Sequence, residues 1–296
     1  MLRRVTFDGR RLPYLLLAPQ LLVLAWFFFW PAGQALYQAF TFADPFGGPS
    51  QWVGFENFQD LFGEPEYREA LLVTIVFSAA TTALALGMGL ILAIFADRAL
   101  RGADGYRVLL IWPYAVAPAI AGALWTFMLN PHSGVVSFAL DKAFDWGWNP
   151  ELSSADAMLL VVMAAAWKQI AYNFVFFLAG LQSIPRPVIE SAAIDGAGPL
   201  TRVRDIILPL LSPTTFFLIV LNIVYAFFDI FGIIEVTTGG GPGDATVILV
   251  YKVYRDGFIG LDLSSSAAQS IVLMLIVVGL TVVQFRFLER RVHYAA

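Results

Sequence analysis

The chain has 296 residues and a formal net charge of −4; 59% of its residues are hydrophobic and only 14% are charged. Because about a quarter of the residues of a soluble domain are charged, this composition excludes an ordinary soluble domain, and it excludes a disordered chain as well. The sequence has no cysteine, and its two histidines, His132 and His293, lie far apart, so we predict no metal site.

Six segments are long and apolar enough to cross the core of a bilayer, which takes about 20 residues of helix. In chain order they cover residues 12–36, 70–95, 106–129, 157–181, 208–233 and 267–288. The first is too long for the core of a cleaved signal peptide, so we expect it to be retained. Prolines within the first, third and fifth segments predict kinked helices around a cavity. We therefore predict an all-α membrane protein, in which residues 1–296 form one domain of six transmembrane helices.

The positions of lysine and arginine predict that both termini are cytoplasmic. Most of the 18 basic residues fall in the two tails and in the loops after the second and fourth segments. They are Arg3, Arg4, Arg10, Arg11, Arg98, Arg101, Arg107, Arg186, Arg202, Arg204, Arg286, Arg290 and Arg291. The opposite loops, at 37–69, 130–156 and 234–266, are therefore predicted to be periplasmic.

The sequence lacks the common motifs of catalysis and nucleotide binding. It has no G-x-x-x-x-G-K-[ST] phosphate loop, no H-E-x-x-H and no G-x-S-x-G. The glycine-rich run at 239–243 lacks the lysine of a phosphate loop and is predicted to be a tight turn. We expect a transport component rather than an enzyme, driven by an ion gradient or by a partner ATPase.

The cytoplasmic loop at 182–209 has the pattern of a docking element. Residues 188–195 can form a short helix that ends at Gly196 or Gly198. A second helix can start after Pro199 and run into the fifth span. Such a pair of helices would present a rigid knob to the cytoplasm, although an ordinary interfacial amphipathic helix fits the same residues.

This loop resembles the EAA motif of bacterial ABC importer permeases. The motif is E-A-A, three residues, G, nine residues, I, one residue and L-P, and the only departure is Ser191 in place of the first alanine. In that family the loop forms coupling helices that dock into a groove of the ATPase subunit. The resemblance implies a coupling role for Glu190, Ser191, Ala192, Asp195, Gly196, Ala197, Ile206, Leu208 and Pro209.

Further segments narrow the resemblance. The run TGGGP (238–242) is similar to a signature of carbohydrate-uptake permeases. Segments along the whole chain, among them DPFG (44–47), PYAVAPA (113–119) and WKQIAYNF (167–174), resemble the A-type permease subunits of sn-glycerol 3-phosphate importers. The resemblance implies a maltose-permease-like type I ABC importer bundle in a bacterial inner membrane, which moves sn-glycerol 3-phosphate or glycerophosphodiesters by alternating access.

The same resemblance implies the partners of the chain. They are a second homologous permease subunit, two ATPase subunits that bind ATP and magnesium, a periplasmic solute-binding protein and membrane lipid; no nucleic acid and no cofactor of its own are expected. The outer residues expected to contact the binding protein are Thr238, Gly240, Gly241 and Pro242. An importer of the same class for a sugar or polyol is the alternative. An ion-coupled secondary transporter is a rival from another class, but we find no internal repeat to support it.

Polar residues within the fourth and fifth spans are candidates for a substrate path. Lys168 would suit a phosphate ester, but it could also pair structurally, for example with Asp229. Tyr172 and Asn173 could contact substrate or form hydrogen bonds between helices. The candidate residues are Lys168, Gln169, Tyr172, Asn173, Asn222 and Tyr225.

Overall fold

The computed structural model describes residues 12–42, 48–97 and 103–288. Several positions used above lie outside the described residues, namely the segment 44–47, Arg3, Arg4, Arg10, Arg11, Arg98, Arg101, Arg290, Arg291 and His293. Internal contacts divide the chain into two compact units, one of residues 1–63 with 253–272 and one of residues 64–252 with 273–296.

The prediction of an all-α membrane fold is confirmed. Within the described residues, four helices are long and apolar enough to span a membrane, and two bent helix pairs raise the number to six if each pair is one span. The four helices are Pro13–Gln38, Pro65–Asp97, Ser154–Ser183 and Leu263–Arg286. The bent pairs are Arg107–Ala115 with Pro118–Met128, and Pro199–Leu210 with Ser212–Phe228. The six predicted spans are compatible with this arrangement.

The described part of the first unit contains an apolar helix that is followed by a short two-stranded ribbon. Helices α1 (Leu12–Leu24) and α2 (Trp30–Gln38) are continuous through a π-helical stretch, Ala25–Phe29. Strands β1 (Thr41–Phe42) and β2 (Gln51–Trp52) then pair antiparallel, with Thr41 opposite Trp52, and α3 (Glu56–Gly63) follows. The ribbon and α3 lie in the predicted loop 37–69, where the sequence patterns predicted neither.

Asn57 joins α3 to the end of α2. Its Nδ2 donates to the carbonyl oxygens of Ala39 and Thr41, at 2.9 and 3.1 Å. The ring of Phe40 lies between those of Trp52 and Phe58, at centroid distances of 5.7 and 5.3 Å. These contacts give the C-terminal end of the first span a small core of its own.

The third predicted span is broken. After α4 (Pro65–Asp97), α5 (Ala103–Ile111) and a 3-10 turn (Trp112–Ala115) lead to Val116 and Ala117, which are extended with ψ angles of 131° and 144°. Helix α6 (Pro118–Met128) then leaves at a bend of 108°. Because a residue before proline avoids helical backbone angles and Pro118 cannot donate a backbone hydrogen bond, the break falls just before the proline.

Helices α4 and α8 form the centre of the second unit. After α7 (Val135–Phe144), Ser153 caps α8 (Ser154–Ser183), with its hydroxyl accepting from the Asp156 N–H at 3.3 Å. A Cβ at Gly89 of α4 would lie 2.7 Å from the Asn173 Cβ of α8, so only glycine allows this approach. Gly87, two residues earlier on α4, has no such neighbour within 4 Å.

The fifth predicted span is divided as well. Helix α9 (Arg186–Ile194) is followed by α10 (Pro199–Arg202), a π-helical stretch (Val203–Ile207) and α11 (Leu208–Leu210). Helix α12 (Ser212–Phe228) continues after a bend of 71°.

The fifth span then ends at Asp229 and Ile230, before α13 (Phe231–Thr237). The remaining helices are α14 (Leu249–Tyr254), which runs into a π-helical stretch (Arg255–Ile259), and α15 (Leu263–Val283).

Candidate functional site

Asn173 and Asn222 of the predicted substrate path bind each other. The Nδ2 of each donates to the Oδ1 of the other, at 3.2 and 2.8 Å, and Asn222 also donates to the Leu218 carbonyl at 2.7 Å. Both side chains are essentially inaccessible, at 0% and 1% exposure. In this conformation the amides therefore tie α8 to α12, which is the common use of buried amides in lipid; substrate contact by either one stays a prediction.

Tyr172 belongs to a ladder of aromatic rings. Its centroid lies 5.6 Å from that of Tyr114 and 4.7 Å from that of Phe176, and Phe176 lies 5.4 Å from Phe217. Tyr172 is half-buried, whereas Gln169, less than one turn away, is buried. Of the predicted residues on α8, Tyr172 is thus the most open to a passing solute.

Tyr225 is a buried residue whose hydroxyl forms no hydrogen bond with the described residues. The side chain is 9% exposed, and within the described part of the chain the hydroxyl has no hydrogen-bond partner. Asn222 and Tyr225 are one turn apart on α12, so they share a face. A buried hydroxyl without a partner costs free energy, so this position favours an arriving polar group.

Lys168 points at the break in the third span. It is 7% exposed, and its ammonium donates to the carbonyl oxygen of Val116. Between the described residues Lys168 and Asp229 there is no direct ion pair, which the sequence suggested as one possibility, but the carboxylate of Asp229 still attracts the ammonium electrostatically. The sequence analysis missed Val116 because its contribution is a backbone carbonyl; the only signal was Pro118, two residues later.

Helix α9, in the loop predicted to be cytoplasmic, ends in a defined turn. The Gly196 N–H donates to the Ala193 carbonyl at 3.2 Å, and the Ala197 N–H donates to the Ala192 carbonyl at 2.9 Å. Gly196 has a φ of +86°. This is the pattern of a Schellman C-cap, which requires a left-handed residue, and it confirms the first of the two glycines considered as the end of the helix.

The predicted coupling residues belong to an exposed knob, formed by α9 and α10, that is anchored by a packed residue at its base. Large apolar side chains stand in the open, with Ile194 86% and Leu200 80% exposed. At the base of the knob, Ile189 packs against a buried cluster that includes Phe174 and Leu211. Of the predicted coupling residues, Glu190, Ser191, Asp195, Gly196, Leu208 and Pro209 are exposed, and Ala192, Ala197 and Ile206 are half-buried.

The glycine-rich loop, predicted to be periplasmic, is held in shape by hydrogen bonds of Thr238 and Thr246. The Thr238 and Thr246 hydroxyls lie 2.6 Å apart, and the Thr246 N–H donates to the Gly240 carbonyl at 3.0 Å. Gly240 has a φ of +90°, and a Cβ there would lie 2.8 Å from the Val247 side chain and 3.0 Å from the ring of Tyr251. Gly240 therefore lies beneath the loop and is buried, so it shapes the surface rather than forming it.

A cavity of about 240 Å³ opens beside this loop. Thr238, Gly241 and Pro242 line it together with Asn130 and Glu151. The structure thus brings three of the four predicted contact residues to one cavity, and it adds Asn130 and Glu151, which carry no motif. Among residues 12–42, 48–97 and 103–288, no group of three or more histidine, cysteine, aspartate or glutamate side chains could hold a metal ion.

Comparisons with known proteins agree with this architecture. The family described as binding-protein-dependent transport system inner membrane component matches residues 1–294. The sn-glycerol-3-phosphate transport system permease protein UgpA of Rhizobium meliloti (strain 1021) is 58% identical over 293 residues, covering 99% of this chain and 100% of that protein. The UgpA of Brucella suis biovar 1 (strain 1330) is 56% identical over 294 residues, with 99% and 100% covered.

Two solved structures share the fold. A chain of a bacterial alginate ABC transporter in complex with an alginate pentasaccharide-bound periplasmic protein superposes with a TM-score of 0.79 at 19% identity, covering 96% of both chains. A chain of a bacterial ABC transporter involved in the import of the acidic polysaccharide alginate gives 0.76 at 22% identity, covering 93% of this chain and 96% of that one. At these identities the likeness establishes the fold alone.

Proposed function

Because the chain belongs to the family of binding-protein-dependent transport system inner membrane components, we propose that it is the permease subunit of an ATP-driven importer of sn-glycerol 3-phosphate. The assignment of the substrate is supported by full-length sequence identities of 58% and 56% to two permeases named for that solute. The chain performs no chemistry itself. It provides one half of a pathway that opens alternately to the two sides of the membrane.

A homologous permease subunit would complete the pathway. The most apolar window of the first span, within Pro13–Gln38, has no buried residue, and Trp26 and Phe27 are 69% and 74% exposed. Lipid can cover such a surface, and so can a second permease. We place the pore between this chain and that partner.

Two ATPase subunits would bind on the cytoplasmic side, where the exposed knob around α9 would dock into a groove of the ATPase subunit. Ile194 and Leu200 offer apolar surface, and the Gly196 turn fixes the angle between α9 and α10. Through Ile189 the knob rests on the buried cluster that contains Phe174 of α8 and Leu211, next to α12. A displacement of the knob on ATP binding would therefore reach both helices of the candidate path. ATP and magnesium stay on the ATPase subunits.

The substrate path would run along α8 and α12. Tyr172 is half-buried beside other rings, and the Tyr225 hydroxyl lacks a partner within the described residues, so both can accept a new polar neighbour. Gln169 lies on the same stretch of α8. Asn173 and Asn222 hold the two helices together in this conformation and become available only if the helices separate.

The solute-binding protein would dock at the outer cavity. Thr238, Gly241 and Pro242 line it beside Glu151. The locked turn keeps this surface in place, because the Thr238 and Thr246 hydroxyls join its two ends. Gly240 contributes by allowing the turn to lie flat on Tyr251.

ATP hydrolysis by the reconstituted complex tests this function. The complex is placed in proteoliposomes with its binding protein, and hydrolysis is compared with sn-glycerol 3-phosphate, glycerophosphocholine, maltose or no solute. Stimulation by sn-glycerol 3-phosphate supports the proposal. Stimulation by glycerophosphocholine alone would change the solute to a phosphodiester, and stimulation by maltose alone would move it to the sugars.

A further inference from the structure

The break in the third span leaves a backbone carbonyl outside the helical hydrogen bonds. Val116 is extended, and the first hydrogen bond of α6 is the one that the Ala121 N–H donates to the Ala117 carbonyl, at 3.0 Å. The Val116 carbonyl thus lies one residue before the ladder of α6. Within a membrane such a carbonyl must find a donor in a neighbouring helix.

Lys168 supplies that donor from α8. Its ammonium donates to the Val116 oxygen, and its side chain is almost fully buried. An ammonium inside a membrane protein needs polar or charged neighbours, and this one has the Val116 carbonyl as its hydrogen-bond acceptor and the carboxylate of Asp229 as an attracting charge. The contact therefore satisfies two groups that would each be unfavourable alone.

Aromatic contacts hold the same break from both sides. The ring of Trp167, next to Lys168, lies 6.0 Å from that of Trp112 before the break and 6.2 Å from that of Trp125 after it. Both pairs are edge-to-face, an arrangement that favours one relative orientation of the rings. Helix α8 thus contacts the third span before the bend, at the bend and after it.

The direction of α6 also determines where α13 lies, because the two helices pack closely together. A Cβ at Gly122 would lie 3.1 Å from the Ile233 carbonyl, and a Cβ at Gly232 would lie 3.3 Å from the Ala119 nitrogen. These two glycines let α6 and α13 pack with their backbones close together. The outer ends of this pair supply Thr126 and Thr237 to the outer cavity.

We propose that Lys168 is a positioning residue: its ammonium caps the Val116 carbonyl at the break, sets the direction of α6, and so holds the α6–α13 pair and the outer cavity in place. In this role Lys168 does not bind the phosphate of the solute. The kinetic test of this inference rests on the transport function proposed above. The spectroscopic test rests on the geometry alone.

The spectroscopic test uses the absence of cysteine from the sequence. Spin labels at Leu109→Cys and Phe127→Cys, which are 69% and 70% exposed in this chain, flank the bend. Their distance distribution is measured in the assembled complex, with partner cysteines replaced. In Lys168→Met, which keeps the length but loses the donor, the distribution should shift or broaden. In Lys168→Arg, which keeps a cationic donor, it should stay narrow.

The matched control is Lys142→Met, a lysine in the same unit that is exposed on α7. It should leave the distribution unchanged. If Lys168→Met does not assemble, Lys168→Gln replaces it, and the same shift is expected because the shorter side chain falls short of the carbonyl. A distribution in either variant that matches the parent would overturn the proposal. This test uses no solute, so it is independent of the proposed substrate.

The kinetic test separates positioning from substrate binding. Loss of a hydrogen bond to a charged group changes an equilibrium constant by about tenfold or more. Lys168→Met should therefore lower the maximal transport rate about tenfold and leave the KM for the solute within about twofold of the parent value. Lys168→Arg should recover most of the rate. A rise in KM for sn-glycerol 3-phosphate with an unchanged maximal rate would show that Lys168 binds the phosphate, and the proposal would be wrong.

Discussion

The amide pair between α8 and α12 gives the sharpest prediction about stability. Asn222→Leu removes both reciprocal hydrogen bonds with Asn173 and the bond to the Leu218 carbonyl. It also leaves the Asn173 amide without its partner at 0% exposure. Leucine has the same number of side-chain heavy atoms as asparagine and the same branching at Cγ, so the change mainly tests the hydrogen bonds.

The expected cost follows from these contacts. Hydrogen bonds between membrane helices contribute about 0.6 kcal/mol each on average, and a buried polar group left unpaired costs about 1–3 kcal/mol. Asn222→Leu should therefore lower the free energy of unfolding by about 3–5 kcal/mol, and Asn173→Leu, which removes two of the three hydrogen bonds, by about 2–4 kcal/mol. The double variant leaves no stranded amide, so the coupling between the two changes should be about 2 kcal/mol or more.

The assay is a double-mutant cycle on the chain in mixed micelles, unfolded with increasing denaturing detergent. Asn222→Leu combined with Ser183→Ala is the control, because residue 183 lies about 15 Å further along α8 than Asn173. That pair should be additive within about 0.5 kcal/mol. Additive costs for Asn173→Leu and Asn222→Leu would refute the claim that the amides depend on each other.

Three further predictions use single residues. Gly89→Val should destabilise the chain by about 1–3 kcal/mol in the same assay because its side chain meets α8, and Gly87→Val, with open space around it, should not; equal effects would contradict the assignment of the close approach. Gly196→Ala should weaken co-purification with the ATPase because φ is +86° at that position, while Gly198→Ala, where φ is −65°, should leave it intact; unchanged co-purification of both would place docking elsewhere. Tyr225→Phe removes a buried hydroxyl that has no partner in the described residues, so stability should be unchanged or slightly higher while KM for the solute rises; an unchanged KM would remove Tyr225 from the path.

Composition and spacing predicted the main outline of the fold. A bilayer requires long apolar helices, so the six segments could be recognised without knowledge of their packing. The short helix at 188–195 and its glycine end were equally local, and the structure differs in starting the helix at Arg186 and in ending it at Ile194, one residue earlier than predicted. Charge counts predicted the orientation, but many of the residues concerned lie outside the described ones.

The features that depend on tertiary contacts were harder to predict. Pro118 indicated a kink in the third span. The bend of 108° between the two halves of that span also depends on α8, because Lys168 binds the Val116 carbonyl and Trp167 contacts tryptophans on both sides of the break. Helical periodicity placed Asn173 and Asn222 on faces of their helices, but only packing brings those faces together. Gly87 and Gly89 look alike in sequence, and the crossing of α4 with α8 distinguishes them.

The most direct test of the account is uptake of labelled sn-glycerol 3-phosphate into proteoliposomes that contain this chain, its partner permease and the ATPase subunits. The account predicts accumulation that requires both ATP and the binding protein and that survives collapse of ion gradients. Uptake that proceeds without the ATPase and stops when the gradients collapse would contradict it.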